Sequence, residues 1–144
     1  MKEPFLIKGG VFSDERGVIR FVNDFTLEGI KRFYTITQSP ESGPRAWQGH
    51  KMESKYFYCL KGSFALRLAK IDNWEEPGNS PEIKSFKLSD VNSDILVVPD
   101  GYANGIQALE EYSQLLIFSE KTIDEAKDDE VRFDKDRWIN WKKI

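Results

Sequence analysis

His50 is the only histidine in this chain of 144 residues, and its side chain is the first to consider for chemistry near neutral pH. An unperturbed imidazole titrates close to pH 7, so it can take a proton from a carbon beside a carbonyl if a cation stabilises the enolate. Arg45 and Lys51 lie close enough in sequence to supply that positive charge. The other interpretation, a core histidine with both nitrogens hydrogen-bonded, stays open at this point.

The residue counts also limit metal and redox chemistry. A single histidine excludes a three-histidine metal centre and disfavours other imidazole-based sites. Cys59 is the only cysteine, so the chain has neither a disulfide framework nor a thiolate metal site, as is typical of a reducing cytosol. We therefore expect no metal, no cofactor and a cytoplasmic location.

The segment that carries His50 has the pattern of a strand. Successive side chains of a strand point to opposite faces, which places Ala46, Gln48, His50 and Met52 on one face. Trp47, Gly49 and Lys51 then share the other face. Residues 54–60 and 63–71, separated by Lys61-Gly62, predict a hairpin with a period of two, and His50 lies on a strand just outside it.

The remaining elements are short strands separated by turns. A tight turn at 13–17 separates strands at 5–12 and 18–23, and DGYANG (100–105) reads as another turn. Only residues 122–133 look helical, with Thr122 as the cap and Glu125 three residues later. The further predicted strands are 33–38, 82–88, 95–99 and 112–118. Eight or so strands with hardly any helix predict an all-β jelly roll, a single domain over residues 1–144 with a short C-terminal helical segment.

Charge and hydropathy argue against two classes of partner, nucleic acids and membranes. The chain has 21 basic and 24 acidic residues, a net charge of −3, which gives no electrostatic reason to expect binding to nucleic acid or to a membrane surface. The apolar run in MKEPFLIKGG is too short for a signal peptide, and no stretch has the length of a transmembrane span.

Several motifs resemble those of two related enzyme families. IKRFYTIT (30–37), RAWQGHK (45–51) and FYCLKGSF (57–64) are similar to motifs of the 3,4-ketoisomerases that act on dTDP-4-keto-6-deoxyglucose. FSDERG (12–17), VPDGYANG (98–105) and DDEVRFDKDRWINW (128–141) resemble motifs of the dTDP-4-dehydrorhamnose 3,5-epimerases. Together they indicate an RmlC-like cupin.

This resemblance implies a fold, a function and a set of site residues. The fold is a cupin-type double-stranded β-helix, and the expected assembly is a homodimer that binds a nucleotide-linked keto sugar inside the barrel without a metal. The expected activity is a 3,4-ketoisomerase-like isomerase of a dTDP-4-keto-6-deoxyhexose, in deoxysugar or surface polysaccharide biosynthesis. The resemblance places His50 and Tyr34 as catalytic residues, and as substrate-binding residues Arg16, Arg45, Gln48 and Asn104. Of these, Arg16 is the arginine associated with the nucleotide phosphates.

The match departs from the family pattern at two positions. Gln48 stands in place of the first histidine of the ketoisomerase pair, and an amide cannot titrate. Phe118 aligns with the epimerase tyrosine and has no hydroxyl, so 3,5-epimerase activity is not expected. The alternative function is a catalytically silent cupin that binds a nucleotide sugar or serves as a partner subunit. Independently of this choice, a purely structural interpretation is open for three of the residues: Arg16 and Asn104 as turn residues and Tyr34 as a core aromatic.

Overall fold

The computed structural model describes residues 2–143, which form an all-β fold with one short α-helix. The helix α1 spans Ile123–Asp129. The twelve strands are β1 (Phe5–Lys8), β2 (Gly10–Asp14), β3 (Gly17–Phe21), β4 (Arg32–Gln38), β5 (Arg45–His50), β6 (Lys55–Lys61), β7 (Ser63–Lys70), β8 (Ile83–Ser89), β9 (Asp94–Val98), β10 (Tyr102–Ala108), β11 (Ser113–Ser119) and β12 (Glu130–Arg132). Short 3₁₀ turns lie at Pro40–Ser42 and Trp141–Lys143.

Two five-stranded antiparallel sheets pack face to face. The first has the strand order β1-β9-β6-β11-β4 and the second β12-β5-β10-β7-β8, while β2 and β3 form a separate ribbon. Alternate side chains of both sheets, among them Phe57, Leu66 and Leu115, fill one apolar core between them. The predicted jelly roll is therefore confirmed.

The predicted hairpin of residues 54–71 is wrong. Strands β6 and β7 follow one another in the chain but belong to different sheets, and each pairs with other strands. Gly62, with a φ of 76°, turns the chain from one sheet to the other, and a Cβ there would collide with the side chain of Ser113. A Lys-Gly turn thus makes a corner of the barrel here.

Two other boundaries differ from the prediction. The turn predicted at 100–105 ends earlier, because β10 begins at Tyr102 and Asn104 lies in the middle of a paired strand. The predicted helix of 122–133 stops at Asp129, and the chain continues as β12, which pairs with β5. The Thr122 cap is confirmed: its hydroxyl accepts a hydrogen bond from Glu125 N, and the Glu125 carboxylate accepts one from Thr122 N.

A second apolar cluster covers the outer face of the second sheet. Trp47 and Ala103 of the sheet pack against Trp141 and Trp138 of the C-terminal segment. This outer aromatic cluster fixes the strand β5 from behind. Within residues 2–143, no helix has the length and apolarity needed to cross a membrane.

Candidate active site

The inner face of β5 presents Arg45, Gln48 and His50 to one cavity. The register of β5 against β10 shifts between Asn104 and Ile106, so that Arg45 joins Gln48 on the inner face. The prediction that Ala46 shares their face is wrong, because Ala46 packs with the outer aromatic cluster instead. Met52 lies beyond the end of the strand and is exposed.

The cavity has a volume of about 410 Å³ and lies between the two sheets, with α1 along one side. It is large enough to admit a hexose-sized group. Its wall is formed by Arg32, Tyr34, Thr35, Ile36, Arg45, Gln48, His50, Lys55, Ile123, Ala126, Lys127, Glu130 and Arg132. Four sequence-predicted site residues therefore meet here: Tyr34, Arg45, Gln48 and His50.

A buried carboxylate faces the imidazole. His50 Nδ1 lies 2.9 Å from Glu53 Oε1, and both side chains are almost fully buried. This contact has the distance of an ion pair without the linear geometry of a hydrogen bond, and both His50 nitrogens lack a hydrogen-bond partner. The interpretation of His50 as a core histidine with both nitrogens satisfied is therefore wrong. A buried imidazole with a free nitrogen beside a cavity is a candidate general base.

The environment of Glu53 favours its charged form. Burial of the carboxyl raises its pKa, but the adjacent His50, the hydrogen bond from Ser119 and the positive charge of Lys55 outweigh this effect and lower the pKa to about 2. The hydroxyl of Ser119 donates to Glu53 Oε2, and Arg32 donates to the same oxygen at 3.2 Å. Glu53 is thus a fixed negative charge behind the imidazole at any pH near neutrality.

Asp129, the last residue of α1, holds the turn that carries Glu53. Its carboxylate accepts hydrogen bonds from the backbone N–H groups of Met52 and Glu53 at 2.9 Å each. The turn between β5 and β6 is thereby tied to the helix on the other side of the cavity. This contact positions Glu53 relative to His50.

A tyrosine and a lysine form a second polar group on the opposite wall. Lys55, which is 4% exposed, donates a hydrogen bond of 2.9 Å to the hydroxyl of Tyr34. The Arg32 guanidinium lies 4.9 Å from the centroid of the Tyr34 ring. Because the phenol oxygen accepts from an ammonium, its own proton is available for a different acceptor.

The cavity is strongly cationic. Arg32, Arg45, Lys55, Lys127 and Arg132 contribute to its wall, whereas Glu130 is the acidic side chain there. Glu130 itself pairs with Arg132 at 3.0 Å. Such a wall suits a ligand with several negative charges.

The spacing of three buried groups is compatible with a metal ion, but their partners are not. Ligand atoms of His50, Glu53 and Asp129 lie within 4.8 Å of one another. However, both Asp129 oxygens accept backbone N–H bonds, and Arg32 and Lys55 supply the positive charge that a cation would otherwise bring. The donor set therefore fits a proton-handling cluster better than a metal centre.

Three residues singled out from the sequence lie outside the cavity. Arg16 is exposed at the tip of the β2–β3 ribbon, where it pairs with Asp14 at 2.7 Å. Asn104 is 2% exposed on β10, opposite Gln48, and does not reach the cavity wall. Phe118 points to the outer face of the first sheet and packs against Phe25 and Phe33, so it cannot occupy the place of a catalytic tyrosine.

Sequence reasoning missed Glu53 and Lys55. Its position three residues after His50 was the one signal for Glu53. The alternation of side chains in a strand does not continue through the turn in which Glu53 lies, so that alternation could not place it beside His50. Lys55 is the second residue of the strand predicted at 54–60, where a lysine usually faces solvent. Only the pairing of β6 with β11, which aligns Lys55 with Ser119 and Arg32, reveals that it points inward.

The fold of this protein is that of the RmlC-like cupins. No protein-family model matches the chain, and no curated protein matches it in sequence. Solved structures do match. The QdtA 3,4-ketoisomerase from Thermoanaerobacterium thermosaccharolyticum in complex with TDP is 27% identical, with a TM-score of 0.70 over 90% of this chain and 88% of that chain.

Two further solved structures are similar to the chain. A histidine-to-asparagine variant of QdtA in complex with TDP-4-keto-6-deoxyglucose is 26% identical, with a TM-score of 0.72 over 92% of this chain and 89% of that one. The Mycobacterium tuberculosis rmlC epimerase has the same fold, with a TM-score of 0.76, 18% identity, and coverage of 96% of this chain and 74% of that chain.

Proposed function

We propose that this protein is a sugar-nucleotide isomerase that acts on a dTDP-4-keto-6-deoxyhexose in the manner of a 3,4-ketoisomerase. The observation that carries the proposal is the buried His50–Glu53 pair in a cationic cavity of hexose size. The likeness to QdtA supports the substrate class, since that enzyme is known in complexes with TDP and with TDP-4-keto-6-deoxyglucose.

The first chemical step is removal of the C3 proton by His50. The Glu53 carboxylate lies 2.9 Å from Nδ1 of the imidazole, which favours the proton on that nitrogen and leaves the lone pair of Nε2 for the substrate. The carboxylate also stabilises the imidazolium that forms. Negative charge develops on the C4 oxygen of the sugar, where Arg45 provides electrostatic stabilisation. Gln48 serves as a hydrogen-bonding group for a sugar hydroxyl, because its amide both donates and accepts.

The diphosphate of the substrate lies against the basic residues at the cavity wall. Lys127 and Arg132 come from α1 and β12, next to Gln48 in the sheet. Guanidinium and ammonium groups are the usual partners of phosphate oxygens. Asn104 contributes from behind Gln48, as a support for the substrate-binding amide.

The proposal includes a homodimer of single-domain subunits, with Arg16 acting in the neighbouring subunit. The ribbon β2–β3 exposes apolar side chains and has strand edges free for pairing, and Arg16 lies at its tip. The exposed apolar residues are Val11, Phe12, Val18 and Ile19. Sedimentation of the wild type and of Ile19→Glu tests this: we expect a dimer that the charge disrupts, and a monomeric wild type would contradict it.

A cytoplasmic location and a role in deoxysugar or surface polysaccharide biosynthesis belong to the same proposal. Cys59 is buried and unpaired, and burial raises the pKa of its thiol to about 11. An inert free thiol fits a reducing compartment.

The decisive test is proton exchange in D₂O. The protein is incubated with dTDP-4-keto-6-deoxyglucose, and NMR follows deuterium incorporation at C3 and appearance of the 3-keto product. We expect exchange by the wild type and a loss of about 10²- to 10⁴-fold in His50→Asn. Circular dichroism and melting temperature show whether the variant is folded. A folded variant that exchanges at the wild-type rate would contradict the role of His50.

A silent cupin is the second candidate, and Gln48 is the observation that favours it. A ketoisomerase pair with one amide lacks one proton-handling group. In this case dTDP and the keto sugar raise the melting temperature by binding, but the C3 proton does not exchange. The same experiment therefore separates the two functions.

A further inference from the structure

A 3,4-keto isomerisation needs two proton-handling groups. One group moves the proton from C3 to C4, and a second protonates the C4 oxygen and takes the proton of the C3 hydroxyl. His50 provides the first in the proposed function, on which this inference rests. Gln48 cannot provide the second, because an amide does not titrate.

The second role falls to Tyr34, which the resemblance to the 3,4-ketoisomerases already places as a catalytic residue. We propose that Lys55 is a positioning residue that holds the phenol oxygen and stabilises the phenolate formed during the reaction. The contact is direct, at 2.9 Å from Lys55 Nζ to the Tyr34 hydroxyl, and both residues line the cavity that contains His50.

The proton balance of the step is complete. His50 Nε2 takes the C3 proton while the Tyr34 hydroxyl gives its proton to the C4 oxygen, which produces an enediol. The Tyr34 phenolate then takes the proton of the C3 hydroxyl, and His50 returns its proton to C4. Both residues end as they began, and the carbonyl has moved from C4 to C3.

The surroundings of Lys55 explain why it can stabilise a transient phenolate. Lys55 is almost fully buried, and its ammonium has the negative charge of Glu53 on one side and the phenol on the other. In a site with little water, a cation at hydrogen-bond distance stabilises a developing anion strongly. Arg32 adds a second positive charge over the ring, 4.9 Å from its centroid.

The pairing register of the first sheet keeps the residues around Lys55 in place. Arg32 on β4, Ser119 on β11 and Lys55 on β6 lie in one row across the first sheet. Ser119 and Arg32 both donate to Glu53, which holds His50. The carboxylate that faces His50 and the lysine that holds Tyr34 are therefore both fixed by this row of residues.

The test compares Tyr34→Phe, Lys55→Met and the double variant in the C3 exchange and product assay. We expect both single variants to lower kcat by about 10²-fold with KM little changed, and the double variant to fall no further, because the residues act as a unit. Lys55→Arg should recover part of kcat, since a guanidinium also donates to the phenol. Lys61→Met, on the exposed end of the same strand, is the matched control and should leave kcat unchanged.

The outcomes separate this inference from the proposed function. A wild type that exchanges no proton would overturn both. An active wild type with Lys55→Met at full kcat and raised KM would show that the lysine only binds substrate, and it would overturn this inference alone. Losses that multiply in the double variant would do the same, because they would show two independent roles.

Discussion

The two faces of β5 differ in how their side chains are partnered. On the outer face, Trp47 is fully buried and its ring lies 5.1 Å from that of Trp138 and 5.5 Å from that of Trp141. On the inner face, His50 and Glu53 are also buried, and they account for three of the five buried side-chain polar atoms without a hydrogen-bond partner in residues 2–143, whereas Trp47 Nε1 is the one such atom on the outer face. Native interiors rarely leave such atoms unpaired.

This difference separates a stabilising region from a functional one. The outer aromatic cluster buries large rings and has no group that reaches the cavity. The inner face keeps unpaired polar groups that cost stability and that a substrate would satisfy. If this is correct, variants of the outer face should change stability alone, and variants of the inner face should change both stability and chemistry.

The largest effect on stability is expected for Trp141→Ala. The side chain is 5% exposed, and its indole N–H donates to Lys135 O at 2.7 Å. Removing it should lower the free energy of unfolding by about 3 to 5 kcal/mol, as measured by urea denaturation. The C3 exchange rate per folded molecule should stay at the wild-type value. A folded Trp141→Ala that has lost exchange would break the distinction between the two faces.

The next effect is the pH-dependent stability contributed by Glu53. Its pKa is about 2 in the folded protein and 4.5 ordinarily, so between these values the unfolded state binds more protons. The contribution is complete above pH 4.5 and is lost as the pH falls through 2. Allowing for solvent screening at the cavity, it amounts to about 2 kcal/mol.

Glu53→Gln tests this contribution directly. The variant should be less stable than the wild type at pH 7, and the difference should vanish toward pH 2, as measured by urea denaturation across the pH range. Glu125→Gln is the matched control. The Thr122 backbone N–H and Lys31 lower the pKa of Glu125 to about 2 as well. Unlike Glu53, however, this carboxylate is exposed to solvent. A difference for Glu53→Gln that is independent of pH would contradict the assignment.

A smaller loss of stability is expected for substitutions at two glycines that leave room for tryptophan rings on the outer face of the second sheet. A Cβ on Gly105 would collide with the buried ring of Trp141, and one on Gly49 with the half-buried ring of Trp74. Gly105→Ala should cost about 1 to 2 kcal/mol by overpacking, and Gly49→Ala less, because Trp74 lies in a loop and can move. Melting temperatures of the two variants provide the comparison, and an equal or larger loss in Gly49→Ala would contradict it.

The sequence was sufficient for the fold because the period of two and the turn residues act locally. The prediction was wrong where one local pattern is compatible with two structures. The pair Lys61-Gly62 can form either a hairpin turn or a corner between two sheets. The inner position of Arg45 depends on a register shift against β10, which no pattern within β5 contains. The sequence could not predict the roles of Glu53 and Lys55, because they depend on how β4, β6 and β11 align, and the partners of both residues are distant in the chain.

The smallest effect concerns α1, the wall of the cavity that faces β5. Thr122 caps this helix, and Asp129 at its other end holds the turn that carries Glu53. Thr122→Ala should lower the free energy of unfolding by about 1 kcal/mol, whereas Thr122→Ser should retain most of it. Because Lys127 and Asp129 lie on the same helix, we also expect a weaker dTDP affinity by calorimetry and a lower exchange rate. A loss of stability without either change would show that the helix supports the barrel but does not position the site.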